Sequence, residues 1–131
     1  MTAFQTTHAF SGFSVDSIDA ARSFYRDALG MDVTDNAMGF LEIALPQGGS
    51  ILVYSKPDHT PASFTILNFP VDDVEAAVDE LNAKGVVTKI YTDPESGTDA
   101  KGIMHGGPGR GPDIAWFKDP AGNVLSVLAP V

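Results

Sequence analysis

Few side chains in this sequence are suited to chemistry, and they are scattered. There are three histidines, His8, His59 and His105, and no cysteine. Disulfides and thiolate metal sites are therefore excluded, and any metal would depend on imidazole and carboxylate donors. Glu42 is the carboxylate to weigh. It lies inside the apolar run Gly39–Leu45, on the side of the chain opposite Leu41 and Ile43. A site built from His8, Glu42 and His105 has suitable residue types, but no spacing joins them. His59 falls in a proline-rich stretch and reads as a solvated side chain. Nucleophilic chemistry is no better marked: Ser126 has no His or Lys near it in sequence to act as base. The run GGPGRG at 106–111 is not a phosphate loop. It lacks the Gly-Lys-Ser/Thr ending, and its proline removes an amide donor.

The bulk composition narrows the function classes. Of 131 residues, 44% are hydrophobic and 19% charged, which is enough apolar material for a buried core. Seventeen acidic residues stand against eight basic ones, a net charge of −9. That balance argues against a nucleic-acid partner and serves solubility, or a cationic ligand. No apolar run approaches the roughly 18 residues of a membrane span. The opening residues Met1–Gln5 lack the basic and apolar blocks of a signal peptide, so the cytoplasm is the expected location.

The elements that must position these side chains come as an internal repeat. Phe10–Val33 and Ile66–Lys89 match at a shift of 56 residues: Phe13 on Phe69, Val15-Asp16 on Val71-Asp72, Ala20-Ala21 on Ala76-Ala77. One residue must then be dropped to place Gly30 over Gly85. Each copy reads strand, acidic cap, amphipathic helix, glycine stop. Asp16 or Ser17 caps the first helix and Asp72 or Asp73 the second. The apolar stripes are Ile18, Ala21, Phe24, Tyr25, Ala28 and Leu29, and Val74, Ala77, Val78 and Leu81. Further strands are expected at 31–34, 39–45 and 50–55 in the first copy, and at 86–91, 114–117 and 124–128 in the second. The closing strands superimpose Gly49–Pro57 on Gly122–Pro130. The expected fold is α+β: one domain over 1–131 with two tandem βαβββ modules, 8–55 and 63–130, joined by a linker at 56–62. Residues 92–113, rich in Gly and Pro, have no counterpart in module one and read as a lid or a disordered loop.

Val15-Asp16, Phe24-Tyr25 and Leu29-Gly30, in the pattern strand–VD–helix–FY–x3–LG, together with Trp116–Asn123 (WFKDPAGN), resemble the vicinal oxygen chelate superfamily. This is the glyoxalase, bleomycin-resistance and extradiol-dioxygenase group, and the likeness covers roughly residues 8–130. The resemblance implies paired modules whose mixed sheets curl into a cup, within one chain or across a homodimer. It implies one divalent metal in the cup, held by two His and one or two carboxylates, that accepts two neighbouring oxygens of the substrate.

Carried over position by position, the family's ligand sites fall here on Phe10, Val53, Ile66 and Ser126, none of them a normal ligand. His8 shares the strand parity of Phe10 one pleat further out, and His105 could reach in from the glycine-rich loop. The residues expected to face the cup include Phe10, Gly12, Ile51, Val53, Ile66, Asn68, Val124 and Ser126, mostly apolar with a few polar groups, as in small-molecule pockets. Trp116, Tyr54 and Phe10 could stack on a planar ligand. The expected function is binding of a small planar or apolar molecule without a cofactor, by Phe10, Gly12, Val53, Ile66, Asn68, Trp116, Ser126 and His105. The alternative is a lyase, isomerase or dioxygenase using one divalent metal ion on displaced ligands.

Overall fold

A computed structural model describes residues 4–130. Module one runs β1 (Ser11–Val15), α1 (Ile18–Arg22), β2 (Asp32–Asp35), β3 (Leu41–Ala44) and β4 (Ser50–Ser55). Module two runs β5 (Thr65–Pro70), α2 (Val74–Ala83), β6 (Ile103–Met104), β7 (Ile114–Lys118) and β8 (Val124–Leu128). Each module forms a four-stranded mixed sheet, in the orders β1-β4-β3-β2 and β5-β8-β7-β6. The first and last strands pair in parallel and the others antiparallel. No helix among the described residues is long and apolar enough to cross a membrane.

The helices form where capping and periodicity place them. Ser17 Oγ accepts the Ala20 amide at 3.2 Å, and Asp73 Oδ1 accepts that of Ala76 at 3.0 Å. Ala21 and Tyr25, with Val74, Val78 and Leu81, are buried in one core that includes Val15, Ile43, Val53, Phe117 and Leu125 from both sheets. The residue that had to be dropped from the repeat has a structural cause. After Arg22, α1 widens into a π-helical turn over Ser23–Ala28, where the Leu29 amide bonds the Phe24 carbonyl five residues back. A π turn takes up one extra residue without rotating the rest of the stripe off the core.

Strand pairing corrects the closing-strand match. Gly12 pairs with Leu52 and Phe13 with Val53, whereas Asn68 pairs with Ser126 and Phe69 with Val127. Leu52 is therefore the partner of Ser126 in the repeat, at a shift of 74. The one-residue error came from matching Gly49 to Gly122. In the structure Gly48 does that job, because Leu45–Gly49 and Asp119–Asn123 are the same turn. Leu45 N donates to Gly49 O and Gly48 N to Leu45 O, as Asp119 N does to Asn123 O and Gly122 N to Asp119 O.

The fourth strand of module two also differs from expectation. Residues 86–91 form no ladder. Their polar groups are taken by side chains and loop backbone: Asn82 Oδ1 accepts Thr88 N, and Thr88 Oγ1 donates to Lys101 O at 2.6 Å. The edge strand is β6, from inside the glycine-rich stretch, which is thus folded onto the module. Gly102 permits this: at φ +86° its backbone lies so near Thr88 that a Cβ would sit 2.0 Å from the Thr88 carbonyl oxygen. Lys101 ties the loop to α2 through Glu75 and Asp79, both at 2.9 Å. Asp99 organises the turn, accepting the amides of Lys101 and Ile103 and meeting His105 Nε2 at 2.7 Å.

The two modules are joined by a buried carboxylate. Asp119, 5% exposed, accepts four donors. The Tyr25 hydroxyl gives the 2.7 Å bond to Oδ2, which also takes Asn123 Nδ2 at 3.2 Å. The amides of Ala121 and Asn123 bond Oδ1. Asn123 Nδ2 also donates to the Ser14 carbonyl of β1, and its Oδ1 accepts the Ala62 amide. Burial pushes the Tyr25 hydroxyl pKa up, and the charge and hydrogen bond of Asp119 push it the same way, so the phenol stays a donor.

Two outcomes follow. Tyr25→Phe removes the one donor that reaches Asp119 from module one, and a hydrogen bond to a charged group is worth about 1.5–3 kcal/mol; urea unfolding should show a loss of that size with an unchanged m-value. The His105 pKa is raised from its ordinary value, chiefly by the hydrogen bond to Asp99. Partial burial pushes Asp99 up, but the Ile103 amide, His105 and the Lys101 amide together hold it below its usual range. The pairing therefore steadies the loop fully below the unfolded histidine value, about 6.5, and is lost as pH rises through the higher folded one. An NMR titration of the His105 ring should show the raised midpoint, and Asp99→Asn should lower it toward the ordinary value.

Candidate functional site

Residues paired across strands share a face. In module one the face away from α1 carries Gly12, Ser14, Thr34, Glu42, Leu52 and Tyr54, whereas Phe13, Leu41, Ile43, Ile51 and Val53 turn to the helix. In module two Thr65, Asn68, Trp116, Ser126 and Ile114 lie on the helix-free face, opposite Leu67, Phe69, Phe117 and Val127. Val53 and Ile51 were expected in the cup; the register sets both on the helix side, Val53 with no exposure at all. The family's ligand position on β4 is thus Leu52, which is as carbon-only as the residue it replaces.

The other expected site residues separate into groups. Asn68, Ser126 and Trp116 stand abreast on β5, β8 and β7. Ser126 is fully buried and its Oγ donates to Asn68 Oδ1 at 2.5 Å, so the exposed Asn68 keeps its amide NH2 to present outward. Trp116 Nε1–H donates to Thr65 Oγ1 at 3.1 Å. Tyr91 packs edge-on against the indole, 5.4 Å between centroids at 77°. These contacts fix the ring and leave it half-buried. Gly12 and Ile66 line a common cavity of about 440 Å³ where the edge strands β1 and β5 approach; Ile66 sits at a bulge in the β5–β8 pairing. Phe10 lies just before β1 and is 61% exposed. Glu42 is on the helix-free face, exposed, between Thr34 and Leu52. His8 and His105 are exposed, and His105 is held by Asp99 rather than turned toward the sheet residues.

The donor set does not fit the family's metal. Phe10, Leu52 and Ile66 offer only carbon, and the Ser126 hydroxyl is given to Asn68. Among the described residues no three His, Asp or Glu side chains gather as a cluster that could hold an ion, so His8, Glu42 and His105 are not brought together.

Two features escaped the sequence. His59 is not a solvated linker residue: its Nδ1 lies 2.7 Å from Ser14 Oγ and its Nε2 3.0 Å from the Ala121 carbonyl. The partners are 45 and 62 residues away, so no local spacing could reveal them. The second is a groove of about 790 Å³ between the ends of α1 and α2, lined in part by Leu29, Leu45, Phe69, Leu81 and Phe117, with Glu80 and Lys84 among its polar residues. Lys84 Nζ reaches across to the Ala28 carbonyl at 3.0 Å. By the repeat this groove is the counterpart of the Tyr25–Asp119 contact, with Leu81 in place of Tyr25 at the 56-residue shift of the helices and Leu45 in place of Asp119 at the 74-residue shift of the turns.

With this geometry in hand, likenesses to other proteins can be placed. Solved structures match along the whole chain. A superfamily member from Sphaerobacter thermophilus DSM 20745 shares 20% identity at a TM-score of 0.68, over 95% of this chain and 98% of that one. TnmS3, an antibiotic binding protein from Streptomyces sp. CB03234, shares 24% identity at 0.63, over 98% and 100%. The oxidase ChaP-H2 shares 20% at 0.63, over 97% and 96%. At these identities the likeness is one of fold. No curated protein matches the chain. The sequence pattern of one family covers residues 7–127, and with it the paired modules, the Phe24-Tyr25 helix and the Asp119–Asn123 turn: the chain belongs to the glyoxalase/bleomycin resistance protein/dioxygenase superfamily.

Proposed function

We propose that the protein binds a small, planar, largely apolar molecule against the Trp116 face of module two, without a metal. The observation that carries this reading is the pairing of carbon-only side chains at Phe10, Leu52 and Ile66 with a fixed indole beside a free amide. Aromatic stacking and one or two directional hydrogen bonds are what such a surface supplies. Thr65 and Tyr91 hold the indole in one orientation before a ligand arrives, which lowers the entropy cost of binding. Asn68, already committed to Ser126 through its oxygen, offers N–H donors, so the matching ligand carries a carbonyl or ring-nitrogen acceptor. The acidic surface, net −9, favours a neutral or cationic ligand over an anionic one. Antibiotic binding by the structural relative TnmS3 is compatible with this use of the fold.

Trp116 is the only tryptophan, so its emission reports this surface alone. Titration with a panel of planar aromatic carbonyl compounds should quench it saturably for at least one member. Trp116→Leu, followed by calorimetry, should weaken that ligand by about 2- to 13-fold, the equivalent of a 0.5–1.5 kcal/mol aromatic contact. A flat response across the panel would count against the reading. In a separate experiment, Zn²⁺, Ni²⁺, Mn²⁺ or Fe²⁺ should leave the melting temperature unchanged. A rise of several degrees, or stoichiometric metal in the native protein, would replace binding without metal by metal-dependent catalysis on displaced ligands.

A further inference from the structure

We propose that Ser14 and His59 form a nucleophile–base pair that cleaves uncharged carboxylic esters in the cavity along the β1–β5 seam. This is a separate function from stacking on Trp116. Ser14 Oγ lies 2.7 Å from His59 Nδ1. On the far side of the ring, Nε2 is 3.0 Å from the Ala121 carbonyl, a group that can only accept. Nε2 therefore carries the proton. The neutral imidazole then faces Ser14 with the lone pair of Nδ1, and the serine hydroxyl is the donor in that bond. Nucleophile, base and a third group that fixes the base's tautomer are the three parts covalent acyl transfer requires.

The third group is itself held. Ala121 sits in the turn whose amides converge on Asp119, so the carbonyl that orients His59 is fixed by the same contact that joins the modules. Ser14 forms part of the wall of the 440 Å³ cavity. None of the described residues that line it is charged: Ala62, Phe64 and Ile66 supply apolar surface, and Thr60 supplies a hydroxyl. A cavity of this make-up suits a neutral ester with a short apolar acyl group. Thr65 shares the wall; its Oγ1 accepts from Trp116, which leaves its own proton to donate to the ester carbonyl.

In the reaction, Ser14 Oγ bonds to the ester carbon as its proton passes to His59 Nδ1. The carbon–alkoxy bond breaks, and the alcohol leaves with that proton. Water, deprotonated by the same nitrogen, then attacks the acyl-serine, releasing the acid and restoring the hydroxyl. The test is incubation of the intact protein with an alkyl fluorophosphonate, followed by peptide mass mapping, alongside hydrolysis of p-nitrophenyl butyrate. One phosphonyl group per chain on Ser14 is expected, and ester turnover should fall at least about 100-fold in Ser14→Ala and His59→Gln. An unmodified Ser14, an adduct confined to another residue, or undiminished turnover in a folded Ser14→Ala variant would overturn the proposal. Labelling of the unaltered chain decides the matter if either variant fails to fold.

Discussion

One buried carboxylate sets how the two halves of this protein meet where the first helix reaches the closing turn. Asp119 has almost no solvent and, among the described residues, no ion-pair partner, and its charge is met by four hydrogen bonds. Three come from its own turn and one from Tyr25 in the other module. A buried anion left short of donors is costly, so the turn must close and the first helix must present its phenol at one distance. Asn123 extends the same constraint to β1 and to the linker. The π turn belongs to this arrangement, since Tyr25 lies inside it.

The family resemblance acquires a physical meaning here. Its two sequence marks, the Phe-Tyr near the end of the first helix and the Asp-Pro-x-Gly-Asn turn, lie 94 residues apart and touch through Tyr25 and Asp119. They report how the modules are fastened. The strand positions onto which the resemblance places metal ligands are separate from these marks, and in this chain they hold hydrocarbon or, at Ser126, a hydroxyl bonded to a neighbouring amide. The residues that mark superfamily membership are thus ones that fasten the fold.

Much of the fold was legible because it depends on local rules. Caps at Ser17 and Asp73, the two helical stripes, and the hairpin of β7 and β8 follow from side-chain oxygens and periodicity that act within a few residues. Even the π turn left a trace, as the extra residue between Ala21 and Gly30. Long-range register was not legible. The glycine and proline coincidences that aligned β4 with β8 were one residue off, because backbone hydrogen bonds, not residue identity, define equivalence in a turn. That shift alone moved Val53 from the cup to the core. Strand β6 was hidden because two residues in a glycine-rich run carry no alternation, and the pairing of Ser14 with His59 exists only once the linker has folded back.

The repeat builds two equivalent notches, each between a first strand, a helix and a turn, yet only one is fastened by a buried polar network; the other is crossed by the exposed bond from Lys84 Nζ to the Ala28 carbonyl. Where Tyr25 and Asp119 meet on one side, Leu81 and Leu45 border an open groove on the other. The second side carries less of the duty of joining the halves, so its turn, Leu45–Gly49, can vary in shape and polarity at less cost to the assembly. New specificities can accumulate there while the joint across the molecule stays constant.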